Sequence, residues 1–406
     1  MQAHRAPDPD PSDPSAWPST ATTSILLVVA GILIVGQMYT VLAMYGPMGA
    51  TFGESPGAMA WTSTAFGLAY ASGFLIAGPM SDRHGPRIMI CAGLLVTAIA
   101  TAVVAAAPNL HATIALRAVQ GASASMFTPA AFSYVASQVR PKHRALVLSC
   151  LTSSMLAAAA LAQVGAQLIE ATWNWQATFI LSAGCLLVVG ALAWWTLRPS
   201  PASHAVGVVA AFRALPGLLA RPRLAALYLS TATLLGGFVS MYTAIALAGP
   251  PSVAGHPAAL LALRISALPV MIAVPLLASW LSRFKSISRG VCGLALAAAA
   301  ALAVSVFDSG VVALGASMLL FVAAIVIAAP ALVETIATVA GGNRGAAIAL
   351  YAFSMFAGAS IGGQATSALT AIGFSGIVML IAAMLVAGAG LAQLSRYVPE
   401  GRSAAA

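Results

Sequence analysis

Charged residues are scarce in this sequence. Only 7% of its 406 residues are Asp, Glu, Lys or Arg, whereas about a quarter of a soluble domain is charged. Too few charges remain to cover a water-exposed surface, so a soluble fold is excluded. Hydrophobic residues make up 60% of the chain and fall in long runs between residues 24 and 397. Runs of about 20 residues suit helices that span a bilayer, and the alternating segments of a membrane barrel are missing. We therefore predict an all-α polytopic membrane protein.

Several kinds of chemical site are missing as well. The four cysteines form no C-x-x-C pair, which argues against a disulfide framework or a zinc site. The phosphate-binding motif G-x-x-x-x-G-K-[ST] is absent, so ATP is not the expected energy source. No cluster of acids, bases or metal ligands stands at one membrane face. We therefore expect that the protein is not an enzyme and that it uses no cofactor or metal.

The apolar runs predict twelve helices, near 24–45, 58–79, 88–107, 111–135, 145–168, 176–197, 223–248, 258–281, 290–307, 310–335, 345–370 and 374–396. Their connections alternate between two sides of the membrane. One side, with both tails, carries 16 of the 18 Lys and Arg, while the opposite loops carry only Glu54, Glu170 and Asp308. Because Lys and Arg collect in cytoplasmic loops, we predict cytoplasmic termini and name the acidic side the outer side. The net charge of +9 is then a topology signal and indicates no nucleic-acid partner.

The chain divides into two parts of nearly equal length. Residues 1–23 are predicted to form a disordered cytoplasmic tail, since they are rich in Pro, Asp and Ser. Six-helix halves follow at 24–197 and 223–397, with a cytoplasmic loop at 198–222 between them and a short cytoplasmic tail at 398–406.

The two halves resemble each other in sequence. An offset of 200 residues places Arg144 and Ser154 over Arg344 and Ser354, in helices five and eleven. Repeated halves are typical of transporters in which a site near the midplane opens alternately to either side.

A charged stretch, GPMSDRHGPR, separates the second and third predicted helices. Gly85 permits a tight turn, and Gly78 would let two helices approach closely. Asp82 can pair with an arginine or a helix N-terminus, and Arg83 and Arg87 are nearby cations. Contacts that form in one conformation and break in another would make this turn a conformational latch.

This stretch resembles the G-x-x-x-D-R-x-G-R-R signature of the major facilitator superfamily, with Pro86 in place of a basic residue. LRAVQG resembles the family's fourth-helix motif, and WNWQATF resembles the start of its sixth helix. The resemblance extends over 24–397, to small bacterial 12-helix inner-membrane exporters of the drug and sugar efflux type. It implies the twelve-helix fold of that family, a bacterial inner-membrane location and a monomer coupled to protons. The antiporter motif of the fifth helix is not intact here, so the direction of transport stays open.

Two arginines and no mid-helix acid fall within the predicted spans. Intramembrane charges normally face a cavity or a partner. The resemblance implies that Arg117 couples ion and substrate, although it would equally bond helix carbonyls as a structural residue. Arg264 either lines the cavity or extends to the headgroups. Glu334, near the cytoplasmic end of helix ten, is the acid that comes closest to the middle of a predicted helix. This balance favours an anionic or neutral substrate.

In the resembled family, helices one, four, seven and ten line the cavity, and helices five and eleven contribute. Gln120 and Gly121 are candidates together with Arg117, because the three residues share one face of helix four. Further cavity candidates, each of which would equally form an interhelical hydrogen bond, are Gln37, Tyr39, Tyr45, Gln163, Gln167, Tyr242 and Gln364. The expected function is secondary active transport of a small molecule by alternating access, as proton-coupled efflux. Uptake, exchange or symport of a small organic anion or metabolite is the alternative.

Overall fold

The computed structural model describes residues 19–199, 215–250, 253, 256–281, 283–306, 311–341 and 344–398. Most of both predicted tails, Asp308 and residues 200–214 of the central loop lie outside these ranges. Within them the long elements are all helices: α1 (Thr20–Thr40), α2 (Tyr45–Phe52), α3 (Pro56–His84), α4 (Pro86–Val104), α5 (Leu110–Ala124), α6 (Phe127–Gln138), α7 (Pro141–Thr172), α8 (Trp175–Thr196), α9 (Pro222–Ala248), α10 (Pro257–Ser266), α11 (Leu268–Leu276), α12 (Ala278–Leu281), α13 (Ser286–Val306), α14 (Val311–Ala340), α15 (Arg344–Ala368) and α16 (Gly373–Leu394).

These helices overlap all twelve predicted segments. In the described ranges, eight spans are long and apolar enough to cross a membrane, and a ninth counts if the two arms of α7, bent by 42°, form one span. The all-helical membrane fold is therefore confirmed, while the count of twelve spans stays a prediction.

Two predicted helices are broken, and proline explains the first break in each. The predicted helix 111–135 is interrupted between α5 and α6, and 258–281 between α10 and α11 and again, at Leu277, between α11 and α12; proline follows the first break in each helix. Proline cannot donate a backbone hydrogen bond and its ring clashes with the carbonyl four residues earlier. Pro129 and Pro269 stand just after these two breaks, within the first turns of α6 and α11.

The first span differs from its prediction at both ends. α1 begins at Thr20 rather than residue 24, where Ser19 caps it by accepting a hydrogen bond from the Thr22 amide. Beyond Thr40 the chain does not enter a loop, but forms a short 3-10 turn, Val41–Ala43, and then α2. α2 ends at Gly53, whose φ of 71° lies in the left-handed region that glycine favours.

The halves repeat the same helix pairings and meet along two seams. In the first half α1 packs on α7 and α4 on α8; in the second, α9 packs on α15 and α13 on α16, at corresponding places in the chain. One seam between the halves joins α3 and α15, and the other joins α7 to α10 and α11. These seams place residues from both halves around a shared centre.

Candidate functional site

Arg117 is fully buried inside the first half. Its guanidinium donates to the Gln37 carbonyl at 2.9 Å, to the Thr62 carbonyl at 3.4 Å and to Gln120 Oε1 at 2.6 Å. The Phe66 ring lies beneath it, 4.4 Å from the guanidinium carbon. The charge is thus stabilised by backbone dipoles, one amide and an aromatic face rather than by a carboxylate.

Gln120 extends this network to further helices. Its Nε2 donates to Gln37 Oε1 at 3.0 Å and to Thr101 Oγ1 at 2.6 Å, so α1, α4 and α5 are joined at one point. Next to it, Gly121 lets α5 contact α3 directly, because a Cβ there would lie 2.2 Å from the Phe66 carbonyl oxygen. The prediction that Arg117, Gln120 and Gly121 share a face is consistent with these contacts.

A small cavity lies between the halves, toward the outer side. Its walls come from α1 and the turn after it, α3, α9 and α15: Met38, Tyr39, Leu42, Tyr45, Ala60, Ser63, Thr64, Val239, Ala359, Ser360 and Gly363. The free space inside is about that of one water molecule. Tyr39 and Tyr45 are among the lining residues, whereas Arg117 is not and instead contacts Thr62 and Phe66 of α3.

In the outer half of the protein, the two halves are in contact across the seam of α3 and α15, which also forms part of the cavity wall. Thr64 Oγ1 lies 3.3 Å from Gln364 Oε1 and 3.5 Å from the Ser360 carbonyl oxygen. A Cβ on Gly67 would lie 2.0 Å from Ser360 Oγ, so the two helices touch at the backbone here. The rings of Tyr39 and Phe238, 6.4 Å apart, add a contact between α1 and α9.

Toward the middle of the same seam, aromatic rings make the contacts between α3 and α15. The Phe356 ring of α15 packs edge-on to Tyr70 at 4.7 Å and stacks on Phe74 at 5.6 Å. Tyr70 is held in place by a 3.0 Å hydrogen bond to Thr128. Such edge-to-face and stacked pairs favour one relative position of the two helices.

The second seam carries a charge. Arg264, on the last turn of α10, is only 6% exposed and donates to Gln167 Oε1 of α7. It therefore does not extend to the headgroups but lies between the halves. Tyr242 of α9 is equally buried at 6% exposure, and its hydroxyl has no hydrogen-bond partner among the described residues.

Two predicted residues do not contribute to this centre. Glu334 pairs with Arg289 at the cytoplasmic end of α13 and α14, and its side chain is 55% exposed, so it lies outside the cavity. Gln163 is buried but donates to the Ala159 carbonyl of its own helix at 2.8 Å. Tyr39 and Tyr45 lie at the cavity and Gln364 at the adjoining seam of α3 and α15. Tyr242 lies one turn beyond the cavity-lining Val239, and Gln167 and Arg264 lie at the second seam.

The charged motif is arranged differently from its prediction. α3 continues through Gly78, Asp82 and Arg83 to His84, and the turn to α4 is the single residue Gly85, whose φ is 86°. This φ, rare for residues with a Cβ, explains the glycine. Gly78 allows no close approach, because a Cβ there would meet nothing within 4 Å. The Asp82 side chain lies outside the described residues.

The two arginines of this motif, Arg87 and Arg83, differ in their contacts. The Arg87 guanidinium donates to the Trp194 carbonyl at the end of α8 and covers the Trp194 ring at 4.6 Å. A cation at a helix C-terminus is electrostatically favourable. Both elements belong to the first half, so this contact stiffens that half and does not join the two. Arg83 is exposed.

Several important residues were not predicted. Thr64 and Ser360 form the outer closure, and Phe66 and Thr62 support Arg117, yet single Thr, Ser and Phe residues are common in apolar helices. The small residues at Gly67 and Ser360 are the one usable signal, because membrane helices approach closely where side chains are small.

The fold and the site together define the class of protein: it is a helical membrane protein whose two similar halves meet around a buried, partly polar centre. The sequence profile of the Major Facilitator Superfamily matches residues 27–363. The chain therefore belongs to that superfamily, whose members are transporters rather than enzymes, and the resemblance of the motifs is confirmed.

Individual relatives are more distant. The multidrug resistance protein B homolog of Mycobacterium tuberculosis is 31% identical over 158 residues, 38% of this chain and 29% of that protein. The cephamycin export protein CmcT of Amycolatopsis lactamdurans is 32% identical over 114 residues, 28% of this chain and 24% of its own length. This chain thus spans less than a third of either relative.

A solved structure shares the whole fold. A bacterial homologue of the human lysosomal transporter Spinster, in an inward-facing and unoccupied conformation, superposes with a TM-score of 0.70. The match covers 93% of this chain and 97% of that one at 15% identity, so it establishes the fold alone.

Proposed function

We propose that the protein is a secondary active transporter that moves a small molecule across the membrane by alternating access. The observation that carries the proposal is the cavity between the halves, closed toward the outer side by contacts that each join one half to the other. Thr64 with Gln364, Tyr39 with Phe238 and Gln167 with Arg264 are all of this kind. Contacts of this type can break together when two rigid halves rotate.

Within this proposal, transport is efflux coupled to proton entry. The names of two relatives concern drug resistance and export, which supports the outward direction. Arg117 would serve the coupling, since its network joins three helices behind the cavity wall and lacks a fixed counter-charge. Uptake, exchange or symport is the alternative, and the incomplete antiporter motif of the fifth helix keeps that alternative under test.

The test uses the full chain in liposomes that contain a pH-sensitive dye. A proton gradient is imposed, and a panel of cationic, neutral and anionic compounds is added in turn. We expect one chemical class to move protons across the membrane in the direction opposite to its own flux. Arg117→Ala should abolish the proton movement.

Other outcomes have defined meanings. Proton and substrate flux in the same direction would establish symport and remove efflux by antiport. Substrate flux without proton movement would make the protein a uniporter or exchanger. Absence of flux for every compound, with vesicles shown to hold folded protein, would contradict transport.

A further inference from the structure

The positive charge of Arg264 lies where the two halves meet. It is on the last turn of α10, in the second half, and its one hydrogen bond to a described side chain goes to Gln167 Oε1 in the first half. The acceptor is a neutral amide, so the charge is not compensated by it. At 6% exposure, water does not compensate it either.

Arg117, the other buried arginine, differs from Arg264 because its hydrogen-bond partners all lie in its own half. The hydrogen bonds of Arg117 go to Gln37, Thr62 and Gln120, all in the first half, and they persist when the halves move apart. Arg264 would lose Gln167 in the same movement. A buried charge deprived of its partner is strongly unfavourable. Water or a ligand must therefore take the place of Gln167 when the seam opens, and an anion is the group that also compensates the charge.

Tyr242 supplies a second donor beside Arg264. Its buried hydroxyl lacks a hydrogen-bond partner among the described residues, and the two side chains are close enough to interact electrostatically. Tyr242 lies one turn beyond Phe238 and Val239 on α9, and Val239 lines the cavity. A guanidinium with an adjacent O–H donor presents two donors that suit the two oxygens of a carboxylate.

The acids that the structure describes leave this position open. Glu334 of α14, which packs on α10 and α11, pairs with Arg289. Glu170 is the only carboxylate on α7, α9, α10 or α11, and it follows Gln167 by three residues. It is half-buried, and no ion pair joins it to Arg264 in the part of the chain that the structure describes. A ligand rather than a side chain is therefore the available counter-charge.

We propose that Arg264 and Tyr242 form the anion subsite of the transport cavity, and that the substrate is an organic monoanion with a carboxylate group. The carboxylate takes the place of Gln167 on the guanidinium. The apolar remainder of the substrate extends toward Tyr39, Leu42 and Tyr45 of the cavity wall. This inference rests on the proposed transport function and adds the substrate class and the residues that recognise it.

Binding to the purified full chain in detergent tests the subsite without requiring transport. The probes are aromatic and aliphatic monocarboxylates, each paired with its primary amide, which has nearly the same shape without the charge. Calorimetry gives the carboxylate-to-amide affinity ratio, expected to exceed about 10, since bonds to charged groups contribute ~1.5–3 kcal/mol. Arg264→Gln should weaken carboxylate binding by roughly 30-fold or more and leave amide binding unchanged.

Three further variants separate recognition from folding. Arg264→Lys keeps the charge and should retain part of the preference, and Tyr242→Phe should weaken carboxylate binding by roughly 2- to 10-fold. Arg289→Gln removes another arginine of the same half, which pairs with Glu334 at the cytoplasmic end, and should leave the ratio unchanged. Monodisperse elution and a sharp melting transition establish that each variant is folded.

The outcomes are distinct for the two proposals. Failure of every carboxylate to bind, or an unchanged affinity ratio in folded Arg264→Gln, overturns the subsite. Flux of amides or amines alone leaves transport standing and overturns the anion assignment. Carboxylate binding that needs Arg264, without flux of any compound, leaves the subsite standing and removes the transport function.

Discussion

At the scale of single residues, the main feature is the set of groups that stabilise each buried charge. No acid among the described residues pairs with Arg117; the Gln37 and Thr62 carbonyls, Gln120 and the Phe66 ring stabilise its charge. Three directions of donation fit the planar guanidinium and not the compact ammonium of lysine. The residue therefore joins α1, α3 and α5 as well as supplying charge.

This geometry predicts the effect of Arg117→Lys. The positive charge remains, but at least one carbonyl or amide loses its donor, so we expect a loss of about 1.5–3 kcal/mol in unfolding free energy. Thermal denaturation in detergent measures it. Val119→Ala on the same helix, at a position that is 55% exposed, should leave the melting temperature nearly unchanged. Equal melting temperatures for Arg117→Lys and the parent would contradict the network.

Glu334, in contrast to Arg117, is a charged residue that is exposed to water. Its side chain is 55% exposed, whereas the side chain of its partner Arg289 is 11% exposed. Water at Glu334 screens the pair, and ion pairs screened in this way contribute about 0–1 kcal/mol. Glu334→Gln should therefore change stability by no more than that and leave any proton-coupled flux intact. Loss of coupling in this variant would show that Glu334 is part of the transport pathway.

At the scale of helices, glycine positions determine which pairs touch. A Cβ on Gly121 would lie 2.2 Å from the Phe66 carbonyl oxygen, whereas a Cβ on Gly184 in α8 would meet nothing within 4 Å. Gly121→Ala should destabilise the protein by about 1–3 kcal/mol, because α5 must move away from α3. Gly184→Ala should be neutral or stabilising by up to ~1 kcal/mol, since alanine favours helix. Melting temperatures of the two variants, measured side by side, check the difference in sign.

The elements also show what the sequence could predict. Apolar runs located the helices to within a few residues, because length and hydropathy control insertion. The breaks before Pro129 and Pro269 carried a readable signal that a hydropathy pattern alone ignores. α2 was missed because its eight residues, with Gly46 and Pro47 at the start, resemble a loop.

The contacts between residues of the site were harder to predict than the helix positions, for a physical reason. Lipid is as apolar as the protein core, so hydropathy does not separate the faces of a membrane helix. Arg117, Gln120 and Arg264 stood out by being polar, and the structure places them at junctions. Thr64, Ser360 and Phe356 did not stand out, and only three-dimensional packing reveals the contacts that they make across the seam.

At the scale of the whole molecule, we propose that the two halves close and open around one cavity. The structure has the outer side closed, at the seam of α3 and α15. A disulfide at this seam would hold it closed. The ideal Cβ of residue 67 lies 3.4 Å from the Cβ of Ser360, close to the range of about 3.5–4.5 Å found in disulfides.

The most direct measurement is therefore flux through the double variant Gly67→Cys, Ser360→Cys, with the four native cysteines replaced by alanine. Each single cysteine variant, treated with the same oxidant, controls for the substitution itself. We expect oxidation to stop flux in the double variant alone and a reducing agent to restore it. Flux that continues at the reduced-state rate, with the disulfide shown to be fully formed, would contradict alternating access through this seam.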